Sequence, residues 1–63
     1  MFDITFEYQD KYTYGRWVKQ SCRMQTVEEC IQWYGLGVDC QYRILSAIPV
    51  GETKSIPVDK YNK

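Results

Sequence analysis

Residues 2 to 9 alternate without a break. Phe2, Ile4, Phe6 and Tyr8 fall on one side, and Asp3, Thr5, Glu7 and Gln9 on the other. A period of two with one apolar face is the signature of a half-buried β-strand. The stretch Asp10-Lys11-Tyr12-Thr13-Tyr14-Gly15 has turn chemistry, with Gly15 free to adopt a positive φ. A second strand is predicted over about Arg16 to Met24, with Val18, Cys22 and Met24 on its apolar side and Gln20 as the exception.

The hairpin register follows from matching side chains across the turn. If paired residue numbers sum to 26, Phe2 faces Met24, Ile4 faces Cys22 and Tyr8 faces Val18 on one side. On the other side Asp3 meets Arg23, Thr5 meets Ser21, Glu7 meets Lys19 and Gln9 meets Trp17, while Asp10 meets Arg16 at the loop mouth. Cross-strand pairs of this kind contribute about 0.2–1 kcal/mol each. A slip of one residue would turn the apolar set of one strand to solvent, so the agreement of both faces selects this register.

Thr26-Val27-Glu28-Glu29 forms a capping box, and its two glutamates sit where the helix dipole favours negative charge. Val27, Cys30, Ile31 and Tyr34 then recur at helical spacing as one apolar stripe. Gly35 suits the position after the helix, with Leu36 placed to pack back on the last turn. A helix over about 27–35 is too short to persist alone in water, so its stripe must dock on the sheet.

A third strand is predicted over about Cys40 to Ile48. Cys40, Tyr42, Ile44 and Ile48 share one face with Ser46, and Gln41, Arg43, Leu45 and Ala47 share the other. Pro49 ends the strand or marks an edge. A right-handed crossover through the helix sets strand 3 parallel to strand 2. The expected fold is α+β, in the order β-β-α-β. It has a three-stranded sheet of order 2-1-3, with strand 1 antiparallel to both neighbours and the helix on one face. The expected core is Ile4, Phe6, Tyr8, Val18, Cys22, Val27, Cys30, Ile31, Tyr34, Tyr42, Ile44 and Ile48. Residues 1–50 make the domain. Residues 51–63 form a polar tail, mobile at its end, in which Ile56 and Val58 offer a short extra strand that Pro57 weakens.

Several functional classes are disfavoured by composition. The 63 residues hold no His, so the commonest general base is missing and Ser–His or Cys–His nucleophile pairs cannot form. No phosphate loop, dinucleotide fingerprint or zinc-hydrolase motif occurs, and the expectation is a protein that is not an enzyme and uses no cofactor. Cys22, Cys30 and Cys40 lack the CxxC spacing of metal sites, so no metal is expected; they read as reduced, largely buried thiols. The first residues do not resemble a signal peptide and no apolar run is long enough to span a bilayer. The expected setting is therefore the cytoplasm, with no membrane partner. Eight basic residues balance eight acidic ones, so net charge gives no drive toward nucleic acid.

What remains is binding. The hairpin tip gathers Tyr12, Tyr14, Arg16 and Trp17, residue types enriched at interaction hot spots, and Lys19 follows on the strand. Trp33 lies off the centre of the helix stripe and is a second exposed candidate. Each has a plainer explanation: the hairpin aromatics pack on the sheet, and Trp33 covers the helix–sheet seam. Order 2-1-3 leaves strands 2 and 3 as open edges, where another chain or a second copy of this one could pair.

The alternating strand, the aromatic hairpin, the helix Thr-Val-Glu-Glu-Cys-Ile-Gln-Trp-Tyr-Gly-Leu and the strand Gln-Tyr-Arg-Ile-Leu-Ser together resemble short accessory proteins of bacteriophages and mobile elements. The resemblance covers about residues 2–48 and is one of style rather than of a diagnostic motif. It implies a stoichiometric protein that binds a host protein in the host cytoplasm, with inhibitors of host defence such as anti-CRISPR proteins as one example. Many of those are acidic DNA mimics, and this neutral chain departs from that pattern. The leading expectation is thus a non-catalytic protein-binding module. The alternatives are a small nucleic-acid-binding module using the basic strand-2 edge (Arg16, Trp17, Lys19, Arg23) and a structural homo-oligomer, such as a homodimer, joined through its sheet edges.

Overall fold

A computed structural model of the chain describes residues 1–51 and 56–62. The elements run β1 (Phe2–Gln9), β2 (Val18–Met24), α1 (Val27–Trp33) and β3 (Gln41–Pro49), with single 3-10 turns at Lys11–Thr13 and Asp59–Tyr61. The sheet has the order β2-β1-β3, with β1 antiparallel to both neighbours, as the sequence pattern predicts. Every β1–β2 pair from Phe2↔Met24 to Tyr8↔Val18 sums to 26.

Helix α1 begins where the Thr26 hydroxyl accepts the Glu29 N–H at 3.1 Å. It ends as Gly35 turns to φ 63° and the Leu36 N–H reaches back to the Ile31 carbonyl at 2.9 Å. That reversal buries Leu36 beside Ile4, Phe6, Val27, Cys30, Ile44 and Ala47, which are the fully enclosed core. The Tyr34 ring leans on Phe6 with centroids 5.0 Å apart, yet Tyr34 itself stays exposed. Gly37 is required by a close approach: at φ +84°, a Cβ there would stand 3.2 Å from the Tyr42 ring.

Besides Tyr34, two expected core positions, Val18 and Ile48, are solvent-facing for identifiable reasons. Seven residues of helix rise only about 10 Å, while the seven residues of β2 run about 24 Å. The helix therefore covers one end of the strand and leaves Val18 exposed. In β3 the register with β1 shifts between Thr5 and Phe6, so Phe6 pairs with Ile44 but Thr5 pairs with Ser46. The extra residue, Leu45, is a bulge that turns the second half of the strand over. Ala47 rather than Ile48 then faces inward opposite Ile4, and Ile48 emerges opposite Asp3. Ser46, the misfit on the predicted apolar face, instead joins Thr5 and Ser21 in a row across the outer face.

The tail contributes to the fold. Of its residues, 52–55 and 63 lie outside those described; residues 56–58 form no strand. They return beside β3, where the Ile56 N–H donates to the Ala47 carbonyl at 3.0 Å. The Asn62 side chain brackets Ile44, accepting its N–H at 2.7 Å and donating to its carbonyl at 2.8 Å. The Tyr61 hydroxyl donates to the Glu28 carboxylate at 3.0 Å, tying the tail to the first turn of α1. Ile56, Val58 and Tyr61 pack against the core.

These contacts also fix which backbone groups face outward. In an antiparallel ladder, a residue whose N–H and C=O point away from one neighbour points them at the other. Ile44 turns both groups and Ala47 its C=O toward the tail, so the even-numbered residues of β1 bond to β2 and the odd-numbered ones to β3. On β2 it follows that Gln20 and Cys22 bond inward, while Lys19, Ser21 and Arg23 present their N–H and C=O groups to the outer edge. Pro49 fits the same parity, because its missing N–H lies on the outer side of β3.

Candidate protein-binding hairpin and sheet edge

The hairpin tip is built by local backbone capping. Asp10, expected to face Arg16, turns its carboxylate onto the loop and accepts the N–H groups of Tyr12 and Thr13 at 2.8 and 3.0 Å. The Thr13 hydroxyl returns the contact, accepting the Asp10 N–H at 3.1 Å and donating to the Asp10 carbonyl at 2.9 Å. The Gln9 side-chain amide closes the mouth by donating to the Gly15 carbonyl. Within this frame Tyr14 is forced to φ 56°, ψ 37°, a left-handed conformation that disfavours side chains other than Gly by about 1–2 kcal/mol. It is the only non-glycine residue with positive φ among those described. Tyr14 is 91% exposed and Tyr12 77% exposed. The Lys11 ammonium stands 5.2 Å from the centre of the Tyr12 ring.

The six binding candidates do not form one surface. Tyr12, Tyr14 and Arg16 are exposed at the tip, and Lys19 is exposed on β2 opposite Glu7. Trp17 reaches across the outer face of the sheet and stacks on Arg43, whose guanidinium lies 4.0 Å from the indole centre. Arg43 in turn donates to Glu7 at 2.9 Å. Trp17 is therefore half committed to packing. Trp33 is 74% exposed on the helix layer, across the sheet from Trp17. Alternation places Arg43 on the outer face but does not show that it stacks on Trp17, and Tyr61 and Asn62 are not legible as site-builders because each acts through a partner more than fifteen positions away.

The electrostatics of the outer face are balanced by the central strand. Asp3 accepts from Arg23 at 2.7 Å, and this hydrogen bond and the Asp3 charge raise the guanidinium's already high pKa. Glu7 lies between Arg43 and Lys19. Carboxylates between the cations, and no aromatic on the outer face of β1, oppose the arrangement that stacks bases and holds phosphates.

A shallow groove of about 820 Å³ runs beside the start of β3, between Trp17, Arg43, Tyr42, Cys40, Tyr61 and Asn62. Among the described residues no group of three or more Cys, Asp or Glu is placed to hold a metal ion. Also among them, no helix is long and apolar enough to cross a membrane. The molecule is thus an open three-stranded sheet with one helix on one face and a capped aromatic hairpin at one end. Comparison of the chain with protein-family models, with curated proteins and with solved structures finds no match, so the site must be read from its own residues.

Proposed function

We propose that the chain is a non-catalytic module that docks on another protein through its hairpin tip and the adjoining edge of β2. The observation that carries this reading is Tyr14: a fully presented aromatic ring on a backbone conformation that disfavours it. Strain of this kind persists only where surrounding contacts over-determine it, and it clusters at binding sites. The Asp10 and Gln9 contacts hold the tip before any partner arrives, which reduces the ordering lost on association. From the tip the chain leads into β2, whose outward N–H and C=O groups are a template for an added strand. Arg16 and Lys19 line that route, with Arg23 beyond them already paired to Asp3, so an extended partner segment carrying acidic residues opposite Arg16 and Lys19 fits it.

A second copy fits the same edge less well. In a twofold pairing centred on Ser21, Lys19 would lie opposite Arg23 of the other copy, and like charges directly opposed are destabilising. A stoichiometric binder of a host protein in the bacterial cytoplasm, of phage or mobile-element origin, is the biological setting this reading favours. Pull-down from a bacterial lysate is the test, comparing the wild-type protein with a Tyr12→Ala/Tyr14→Ala double variant of unchanged circular dichroism. A captured protein should be lost with the variant. Capture that is identical for both proteins would refute docking through the tip.

A further inference from the structure

Cys22 and Cys30 come from different elements, the inner face of β2 and the buried face of α1, and their sulfurs lie 3.0 Å apart. A disulfide bond is about 2.05 Å long, so closure requires the sulfurs to approach by only about 1 Å. Cys40 is engaged elsewhere, with its thiol 3.9 Å from the Gly35 carbonyl. Cys22 is the more accessible of the two, half-buried where Cys30 is enclosed in the core. A more accessible thiol backed by a buried one is the arrangement of an attacking and a resolving cysteine.

We propose that Cys22 and Cys30 form a dithiol exchange site for low-molecular-weight disulfides of the oxidised-glutathione type, closing an internal disulfide that staples α1 to β2. The Cys22 thiolate attacks one sulfur of the small disulfide, forming a mixed disulfide and releasing one small thiol. The Cys30 thiolate then attacks the Cys22 sulfur, forming the internal bond and releasing the second small thiol. Two protein thiols are oxidised, losing two protons and two electrons, and one small disulfide is reduced to two thiols. The second step is the slow one, because burial first, and the contact with Cys22 next, push the Cys30 thiol up to about 12. Closure therefore accelerates as pH rises. The staple shortens the free chain of the unfolded state, so the melting midpoint of the oxidised form rises by roughly 10 °C. Nothing in this inference depends on the docking reading above.

The test is incubation of the folded, reduced protein with oxidised glutathione, followed by intact-mass measurement and peptide mapping. The expected product has lost two hydrogen atoms, carries no glutathione, and yields a linked peptide pair containing Cys22 and Cys30. A Cys30→Ser variant should instead stop at one glutathione attached to Cys22. The proposal is overturned if the wild-type protein retains all three thiols, halts at the mixed disulfide, links through Cys40, or forms the Cys22–Cys30 bond only after unfolding in urea.

Discussion

The two edges of the sheet are handled in opposite ways. On β3 the chain covers its own edge: Asn62 satisfies both backbone groups of Ile44, and Ile56 bonds to Ala47. Pro49, which has no donor to expose, occupies the far end. On β2 the outward groups of Lys19, Ser21 and Arg23 receive no such cover from the described residues, and charged side chains guard that edge. Exposed edges invite pairing with other chains, and natural proteins cap, shorten or charge them to prevent it. A chain that seals one edge and leaves the other beside a presented aromatic tip separates a structural edge from an interacting one.

The largest effect should come from proline scanning of β2. Gln20 bonds inward to Phe6, so Gln20→Pro removes a ladder hydrogen bond, sets the proline ring against β1 and should be the most destabilising of these changes. Ser21 points its N–H outward, and Ser21→Pro should lose less than half as much by urea denaturation. Equal losses would mean that the assigned parity is wrong. Next in size is Asn62→Ala. Two hydrogen bonds to a half-buried strand disappear, at about 1 kcal/mol each. The β3 edge also becomes available, so light scattering should detect concentration-dependent association that the wild type does not show.

A smaller effect of opposite sign is expected at the tip. Tyr14→Gly relieves the left-handed strain and should stabilise the fold by up to about 1 kcal/mol, measured by thermal melting, while abolishing partner capture. Loss of both stability and capture would make Tyr14 a packing residue. Stability should also depend on pH. Cys30 keeps its proton in the folded state up to about 12, whereas its ordinary value is 9.0. A group whose folded pKa is raised contributes stability that is complete below the unfolded value and is lost as pH climbs toward the folded one. Stability should therefore hold to about pH 9 and then decline toward pH 12, with the Tyr34 phenol, raised chiefly by burial, adding in the same direction. A Cys30→Ser variant should show a shallower alkaline decline in urea midpoints.

The elements that were legible in the sequence are those decided by local pattern. The uninterrupted alternation of residues 2–9 and the complementary pairs of residues 18–24 specify the hairpin and its register. Thr26 and Gly35 mark the limits of the helix by chemistry that acts within one turn. The bulge at Leu45 was hidden because Cys40, Tyr42, Ile44 and Ile48 form a credible face; only Ser46 signalled that the alternation breaks. Docking of the tail was legible only in part: Ile56 and Val58 pack on the core without forming the short strand they offered, and the clasp by Asn62 was hidden for a different reason. Asn62 carries no local pattern, and its role exists only once Ile44 has been placed on an edge. In the hairpin, residue types pointed to an aromatic tip, but which ring would be free depended on distant partners. Arg43 draws Trp17 across the sheet, while the capped loop leaves Tyr14 in solvent.

Residue-resolved amide hydrogen exchange tests the contrast between the two edges most directly. The Ile44 amide should exchange far more slowly than those of Lys19, Ser21 and Arg23, and in Asn62→Ala it should approach their rate while Gln20 and Cys22 stay protected. Slow exchange at Ser21 and Arg23 equal to that of Ile44, or an Ile44 amide indifferent to the loss of Asn62, would contradict the division into a sealed and an open edge.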